Sequence, residues 1–569
     1  MKKTFVLCFL CSLLALASCG KKSAGKHSLR DAKGGKKFGG AIRLNETGDL
    51  RSLDPPQIND QTSSHIGENI YDRLLSFDNT LSLHPALARA LPDISPDGIT
   101  YTFHLRTDVY FQDDACFPDS KGRKMTAKDI VYCWSRALDP ATNTLALPYF
   151  QIIKGAKEYF DSKAKLPEGV SGLQAPDDST FVVTLKAAFS PFINYCMVGN
   201  AYIYPHEAVE KYGKDFTHHG VGTGPFRFVE YKEARYCLLV RNEHYWDKDE
   251  AGNQLPYLDT VRFTFMQDDK PELLEFKAGN LDHKYRIPSE FFADVVDENK
   301  NLKGEYKKYQ LGKVAAIATQ FHGFNTQLAG VSNVHLRRAI SFCVDRRKII
   351  KYILKNQAAG PGEHGLVPPS LPGYPFDQVK GFVFNPDSAR AELEIAKKEL
   401  KGQLPELTLY VNKGGGRNED VAQAVQAMIK ENLGMEINLT VKEWAEHTAM
   451  IDEGKAAYFR LGWIADYPDP QNFMNLLYGK NIPSNGPSSI NQTRYKNPEF
   501  DKLYEQAIHE VDRAKVMQLW AQCDQLAIRD APQIILYYDE DYHLIQPWVR
   551  DFPIDAQDNN PMKRVWLSE

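Results

Sequence analysis

The sequence predicts an α/β fold built from more than one domain. Helical and extended patterns alternate along the chain with Pro and Gly between them, and no short-period repeat occurs. The clearest unit is a strand at residues 407–411, an amphipathic helix at 420–433 and a second strand at 437–441, which predicts a right-handed βαβ crossover with parallel strands. The chain has 569 residues, 43% of them hydrophobic, and is therefore long enough to bury a large core and divide into domains.

Earlier segments fit the same class. Thr126 and Asp129 have the spacing of a capping box, which predicts that a helix begins there. Alternating or extended patterns predict further strand-like segments at residues 100–106, 109–111, 181–185 and 236–240.

The N-terminus has the pattern of an export signal. Lys2 and Lys3 precede an apolar run at residues 5–17, which is too short to span a bilayer as a helix. Cys19 follows Leu-Ala-Ser, and this segment resembles the lipobox of bacterial lipoproteins. The resemblance implies a signal peptide at residues 1–18 and lipid attachment at Cys19 outside the cytoplasm. An ordinary secretory signal with an incidental cysteine is the alternative.

Residues 19–40 form a predicted basic tether. Residues 21–40 carry seven Lys and Arg residues against Asp31 alone, with several glycines. We expect a flexible segment, either lying against anionic lipid headgroups or simply solvated. Because the whole chain has a net charge of −4, the part that follows residue 40 is acidic, which argues against a nucleic-acid partner.

The cysteine pattern predicts neither a metal site nor a redox motif. Six cysteines follow the N-terminal segment without any C-x-x-C pair, and disulfide pairing among them stays open. They are Cys116, Cys133, Cys196, Cys237, Cys343 and Cys523. No nucleophile elbow or H-E-x-x-H helix occurs, so we expect no catalytic residue, no metal and no cofactor.

The most informative segment is residues 460–470. An apolar strand-like run ends at Trp463 and is followed by Asp466, Pro468 and Pro470. Proline fixes φ and removes a backbone donor, so this loop is stiff. A stiff carboxylate beside an indole face suits a ligand ammonium group. A solvated aspartate after a core tryptophan is the alternative interpretation.

A cationic loop follows another strand. Residues 412–417 begin at the carboxyl end of the first strand of the βαβ unit and contain Lys413 and Arg417. Ligands bind outside the carboxyl ends of strands in open α/β sheets, and the following helix N-terminus adds positive potential. With Asp466 near the other end, the cleft would be complementary to a zwitterion. A plain flexible turn is the alternative.

Seven motifs lie in register at residues 97–106, 125–131, 222–226, 241–246, 255–259, 336–346 and 385–390. Together they resemble one family, the family 5 extracellular solute-binding proteins, and the resemblance extends from about Ala41 to the C-terminus. The family comprises oligopeptide-, dipeptide- and nickel-type binding lipoproteins that deliver ligands to ABC importers.

The resemblance implies a two-lobed periplasmic-binding-protein fold of the type II, large peptide-binding class, with a hinge and an extra α/β subdomain. The implied parts are lobe I at residues 41–85, 201–305 and 539–569, the extra subdomain at 86–200, and lobe II at 306–538.

The resemblance also implies ligand contacts. Asp466 would bind the peptide ammonium group, with Trp463 lining the first pocket and Tyr467 ending the G-W-x-A-D-Y segment. Arg460 stands where oligopeptide binders hold the ligand carboxylate. Lys413 stands where dipeptide binders have an arginine, and lysine offers a point charge instead of a bidentate fork. Three further residues complete the predicted site: Arg417, Tyr537 and Tyr538.

By this resemblance the protein captures short peptides and delivers them to the permease subunits of an ABC importer, as a monomer tethered to a bacterial membrane. Two alternatives stay open. The same fold could hold a metal chelate, haem or a sugar, and a surface hydrolase would need a nucleophile or metal that the sequence does not offer.

Overall fold

The computed structural model describes residues 29–165, 169–413 and 416–569. The predicted signal peptide, Cys19, and Gly414 and Gly415 of the cationic loop lie outside the described residues. No helix of the described ranges is long and apolar enough to cross a membrane.

The strands are numbered here in chain order. They are β1 (Arg30–Asp31), β2 (Lys37–Phe38), β3 (Ala41–Glu46), β4 (Leu75–Phe77), β5 (Leu83–Pro85), β6 (Asp93–Ile94), β7 (Thr100–His104), β8 (Leu173–Asp177), β9 (Thr180–Thr184), β10 (Phe226–Lys232), β11 (Tyr236–Arg241), β12 (Thr260–Phe265), β13 (His283–Tyr285), β14 (Gln310–Phe324), β15 (Gly360–Pro361), β16 (Leu407–Asn412), β17 (Ile437–Lys442), β18 (Tyr458–Ile464), β19 (Gln533–Ile545), β20 (Val549–Arg550) and β21 (Trp566–Leu567).

The α-helices are interspersed between them. They are α1 (Gln61–Ile70), α2 (Ala127–Arg136), α3 (Leu147–Phe150), α4 (Ala156–Asp161), α5 (Phe192–Tyr195), α6 (His206–Tyr212), α7 (Asp269–Lys277), α8 (Ser289–Val295), α9 (Val334–Cys343), α10 (Arg346–Lys348), α11 (Pro386–Glu399), α12 (Arg417–Leu433), α13 (Trp444–Asp452), α14 (Pro470–Met474), α15 (Pro498–His509) and α16 (Arg513–Asp530).

Two four-stranded sheets form the first half of the molecule. One has the order β10-β11-β12-β3, with β12 parallel to β3, and the other has the antiparallel order β6-β7-β9-β8. Side chains of both sheets, such as Val261 and Phe103, belong to one continuous hydrophobic core. The predicted extra subdomain therefore packs tightly on the first lobe.

A seven-stranded sheet forms the second half. Its order is β13-β19-β14-β18-β16-β17, with β15 added to β19. Two separate hydrophobic clusters, centred on residues such as Trp520 and Ile340, fill its two sides. β14 and β19 are the longest strands of this sheet and pair antiparallel with each other, and β19 also pairs with β13. β13, which lies in the predicted lobe I range, pairs with residues 543–545 of β19, which lie in the predicted C-terminal return to lobe I.

The βαβ unit forms as the sequence predicts. β16 and β17 are parallel, and α12 connects them and ends at Gly434, which has the left-handed φ of 64° that favours glycine. The capping box of Thr126 and Asp129 is present at α2. The segment at 109–111 is extended, as predicted: Tyr110 forms an isolated antiparallel bridge with Lys124, flanked by a 2.9 Å backbone hydrogen bond from Phe111 to Arg123.

The prediction of a flexible tether is wrong for residues 30–38, which belong to the described part of that segment. β1 and β2 pair with each other, and Phe38 packs against Tyr257 with ring centroids 5.2 Å apart. Lys36 also forms an ion pair with Asp551 at 3.0 Å. An aromatic anchor and these pairings outweigh the high glycine and lysine content, so residues 30–38 are folded onto the body.

The six cysteines that follow the N-terminal segment are free thiols in the structure, and five of them are buried. Cys116 is partly exposed, and burial raises the pKa of the Cys133 thiol above its usual value. The five buried cysteines pack as small apolar side chains.

Candidate functional site

Asp466 is held at the end of β18 by one amide side chain. β18 ends at Ile464, and α14 begins shortly after, capped by Asp469, which accepts a 2.9 Å hydrogen bond from the Gln471 backbone. Asn472, on α14, donates from Nδ2 to Asp466 Oδ2 at 3.2 Å. The short proline-started helix therefore fixes the direction of the carboxylate.

The Asp466 side chain is exposed and lines a cavity, and it has no charge partner. Within the described residues no Lys, Arg or His forms an ion pair with it. The surrounding protein displaces water from the group, and this desolvation raises its pKa above the usual value, opposed only by the hydrogen bond from Asn472. A carboxylate kept in this state is complementary to an added cation.

The cavity beside Asp466 has a volume of about 560 Å³, and most of its charged lining residues are acidic, so we call it the acidic cavity. Burial is the main cause that raises the pKa of Glu68 to about 7 and of Asp558 to about 8. Lys563, a lining cation, is already paired with Asp247 at 2.8 Å. The carboxylates that line the cavity are Asp60, Glu68, Asp72, Asp466, Asp555 and Asp558.

Tyr467 fastens the loop to the first half of the molecule. Its side chain is buried in the core of the first two sheets and contacts Tyr195 edge-on, with centroids 5.1 Å apart. Its hydroxyl donates to the Gln471 side chain. Tyr467 lines the acidic cavity with its neighbour Asp466, so these two predicted residues lie in one site.

Trp463 lines a different pocket. Side chains alternate along a strand, so Trp463 points away from the face that carries Arg460. It borders a pocket of about 250 Å³ together with Phe321 and the exposed Trp444. Its indole nitrogen donates to Asn472 Oδ1 at 2.6 Å, which ties the Trp463 and Asp466 positions together.

Arg460 is a half-buried guanidinium without an anionic partner. Nη1 donates to Asn412 Oδ1 at 3.0 Å, and Nη2 donates to Gln320 Oε1. No carboxylate of the described ranges forms an ion pair with it. Burial lowers the pKa of Arg460 below its usual value, although the group stays charged at neutral pH.

Arg417 lies beside Arg460 but is paired. Its Nη2 is 3.1 Å from Asp539 Oδ1, and its Cζ lies 5.2 Å from the centre of the Tyr537 ring. Its Nε is buried and has no hydrogen-bond acceptor. Gln320 Nε2 also donates to Asp539 Oδ2 at 2.5 Å. We call this group the basic end: Arg417, Arg460, Gln320, Tyr537 and Asp539.

Two predicted residues lie away from the basic end. Lys413 is largely exposed and pairs with Glu443 on the surface. Tyr538 is a core residue. Successive side chains of a strand point to opposite faces, so Tyr538 lies on the other side of the sheet from Tyr537 and packs in a hydrophobic cluster there. There its hydroxyl donates to the Gly365 carbonyl at 2.7 Å.

The two charged ends belong to one strand and its loop. Arg460 and Asp466 are six residues apart, so their Cα atoms are separated by at most about 20 Å. An extended zwitterion of a few residues fits such a span. Sequence reasoning missed Gln320 and Asp539, whose roles depend on the strand register. It also missed Asn472, whose role depends on how α14 folds back toward Asp466.

Comparison with known proteins identifies the family of this chain. A model of "Bacterial extracellular solute-binding proteins, family 5 Middle" matches residues 82–485. The Dipeptide-binding protein DppE of Bacillus subtilis is 29% identical over 550 residues, covering 93% of this chain and 92% of DppE. Heme-binding protein A of Haemophilus influenzae is 28% identical over 563 residues, covering 97% of each chain.

A solved structure shows the fold. DppA from Helicobacter pylori in complex with peptide STSA matches with a TM-score of 0.73 at 24% identity, covering 94% of this chain and 99% of DppA. The chain therefore has the two-lobed type II periplasmic-binding-protein fold that the motifs implied. With the family model matching most of its length, the chain belongs to the bacterial extracellular solute-binding proteins of family 5.

Proposed function

We propose that this protein captures short peptides between its lobes and delivers them to an ABC-type importer. One observation carries the proposal: β18 and its loop hold an unpaired guanidinium, Arg460, at one end and an unpaired carboxylate, Asp466, at the other. Each would be paired by one end of a zwitterionic peptide. Closure of the lobes would enclose both charges, and an enclosed charge without a partner is costly, so the two ends of a bound zwitterion would supply the partners that Asp466 and Arg460 lack.

In the proposed mechanism the lobes close on the ligand around the long strands β14 and β19. The acidic cavity receives the ammonium end next to Asp466, and the basic end receives the carboxylate through Arg460. The ligand backbone would pair as an added strand, which provides affinity without reading side chains. Water in the pockets would then tolerate varied ligand residues.

The test is native mass spectrometry of the chain lacking residues 1–19, purified without denaturation. We expect co-purified peptides of mixed sequence and short length. A single defined small molecule that carries no ammonium group would contradict the proposal.

Haem is the second candidate cargo, because one relative of this chain is named as a haem-binding protein. Haem has two carboxylates and no ammonium group, so it would leave Asp466 without a partner. The acidic cavity therefore favours a peptide. Titration with haemin distinguishes the two cargoes: a saturable Soret shift that competes with peptide would support haem.

The proposal extends to location and partners. We propose that cleavage of a signal peptide exposes Cys19 for lipid attachment, that the protein works as a membrane-tethered monomer outside the cytoplasm, and that its partners are permease subunits. The proposed role is binding without catalysis. Replacing Cys19 by Ala should move the protein from the membrane to the soluble fraction, and purified protein should leave bound peptides uncleaved.

A further inference from the structure

The two arginines of the basic end are not equivalent. Arg417 forms a 3.1 Å ion pair with Asp539, whereas Arg460 reaches only the neutral side chains of Asn412 and Gln320. Gln320 bridges them, because its Oε1 accepts from Arg460 while its Nε2 donates to Asp539 at 2.5 Å. One side chain thus holds both charges at fixed positions.

The Asp539 carboxylate contacts both the Arg417 guanidinium and the Gln320 amide of the basic end. Asp539 is 6% exposed and lies on the long strand β19, two residues after Tyr537, so both point to the same face. The Tyr537 ring makes a cation–π contact with the Arg417 guanidinium, whose Cζ lies 5.2 Å from the ring centre. Breaking the Arg417–Asp539 pair would leave a buried charge, so the pair is stable unless another anion replaces it.

Neighbouring charges are already engaged. Arg286 pairs with Asp541 at 2.9 Å, and Lys300 pairs with Glu540 at 2.5 Å. Asp539, 3.1 Å from Arg417 Nη2 and hydrogen-bonded to Gln320, is the carboxylate that contacts the basic end directly.

We propose that Asp539 is the specificity-determining residue of the basic end: it occupies Arg417, so that Arg460 alone serves a ligand carboxylate. The site then accepts one carboxylate and disfavours a second one, such as an acidic C-terminal side chain. This inference rests on the proposed peptide-binding function. Asp539 thus pairs with Arg417 in the position that a second ligand carboxylate would otherwise take.

The test compares two isosteric tripeptides, Ala-Ala-Asp and Ala-Ala-Asn, by calorimetry on wild-type protein and Asp539→Asn. Freeing Arg417 should shift the affinity ratio toward Ala-Ala-Asp by about tenfold. Adding Arg417→Gln to Asp539→Asn should reverse the shift, because the freed cation is then gone. Glu540→Gln, one residue along the same strand, is the matched control and should leave the ratio unchanged.

An unchanged ratio in Asp539→Asn, with tripeptide binding retained, would overturn the inference alone. Failure of every tripeptide to bind wild-type protein would overturn the proposed function as well. If Asp539→Asn does not fold, the charge-neutral double variant Arg417→Gln/Asp539→Asn decides. It should bind Ala-Ala-Ala like wild type, whereas Arg460→Gln should lose at least about tenfold. Comparable losses in both would contradict the proposal.

Discussion

Asn472 donates a 3.2 Å hydrogen bond from Nδ2 to the Asp466 carboxylate, and this contact connects the cleft carboxylate to a rigid helix. The same amide accepts from the Trp463 indole nitrogen through its oxygen at 2.6 Å. Both hydrogen-bonding functions of one side chain are therefore used to orient the residues that flank the end of β18. Asp466 keeps a fixed position without being neutralised, which is what a ligand ammonium group requires.

Replacing Asp466 by Ala should weaken peptide binding by about 2–5 kcal/mol, because the ligand ammonium group would be enclosed without a counter-charge. Calorimetry with Ala-Ala-Ala measures this loss. Glu443→Gln removes an exposed carboxylate of the same lobe and is the control. Unchanged affinity in Asp466→Ala would exclude Asp466 as the ammonium contact.

Arg460→Gln should weaken binding by about 2–5 kcal/mol, because Arg460 is the guanidinium of the basic end that has no anionic partner among the described residues. Lys413→Gln is the informative comparison, since Lys413 is exposed and paired with Glu443. Its affinity for the same peptide should match wild type. If Lys413→Gln lost more affinity than Arg460→Gln, the carboxylate contact would have to be reassigned to the loop that follows β16.

Peptide affinity should fall as the solution is acidified, and it should do so at a higher pH than an ordinary aspartate would cause. Desolvation raises the pKa of Asp466 in the ligand-free protein, and only the ionised carboxylate attracts an ammonium group. Binding is therefore complete above that raised pKa and weakens as pH drops through it. Calorimetry across pH 4–8 should show this step in wild type, and its persistence in Asp466→Asn would assign it to another group.

Asp466→Asn should make the ligand-free protein more stable at neutral pH. The folded-state pKa of Asp466 lies above its unfolded value, so the folded protein binds the proton more tightly and loses stability as pH rises through that window. Removing the charge removes this loss. Thermal melts should show a higher Tm for the variant at pH 7 and a smaller difference at pH 3. A lower Tm at pH 7 would mean that the carboxylate is compensated in the free protein.

Asn472→Ala should lower peptide affinity by about 1 kcal/mol while leaving the fold intact, because it removes the hydrogen bonds that orient Asp466 and Trp463. As Asn472 acts through these neighbours, its loss should have a smaller effect in the Asp466→Ala background, where only Trp463 remains to be oriented. A double-mutant cycle by calorimetry checks this, and additive losses would argue for an independent role.

The sequence allowed the local elements of the site to be predicted but not their partners. Strand alternation, prolines and a helix-ending Gly434 identified β18, its loop and the βαβ unit, since these depend on neighbouring residues. The Asp539–Arg417 pair joins residues 122 positions apart and depends on the register of β19. Tyr538 was misplaced for the same reason, because a shift by one residue moves a side chain to the other face of a sheet.

The acidic cavity was equally invisible in the sequence. Glu68 and Asp558 come from α1 and from a C-terminal loop, and only the fold brings them to the same cavity. Nothing in their local sequence distinguishes them from solvated carboxylates. The basic tether, in turn, was predicted from composition, which does not reveal that Phe38 packs against Tyr257.

The most direct test of the two-ended charge arrangement is calorimetry of wild-type protein with Ala-Ala-Ala, its N-acetylated form and its C-amidated form. The account predicts that each blocked peptide binds at least about tenfold more weakly than the free zwitterion, because either Asp466 or Arg460 then stays unpaired. Equal affinity of all three peptides would contradict it.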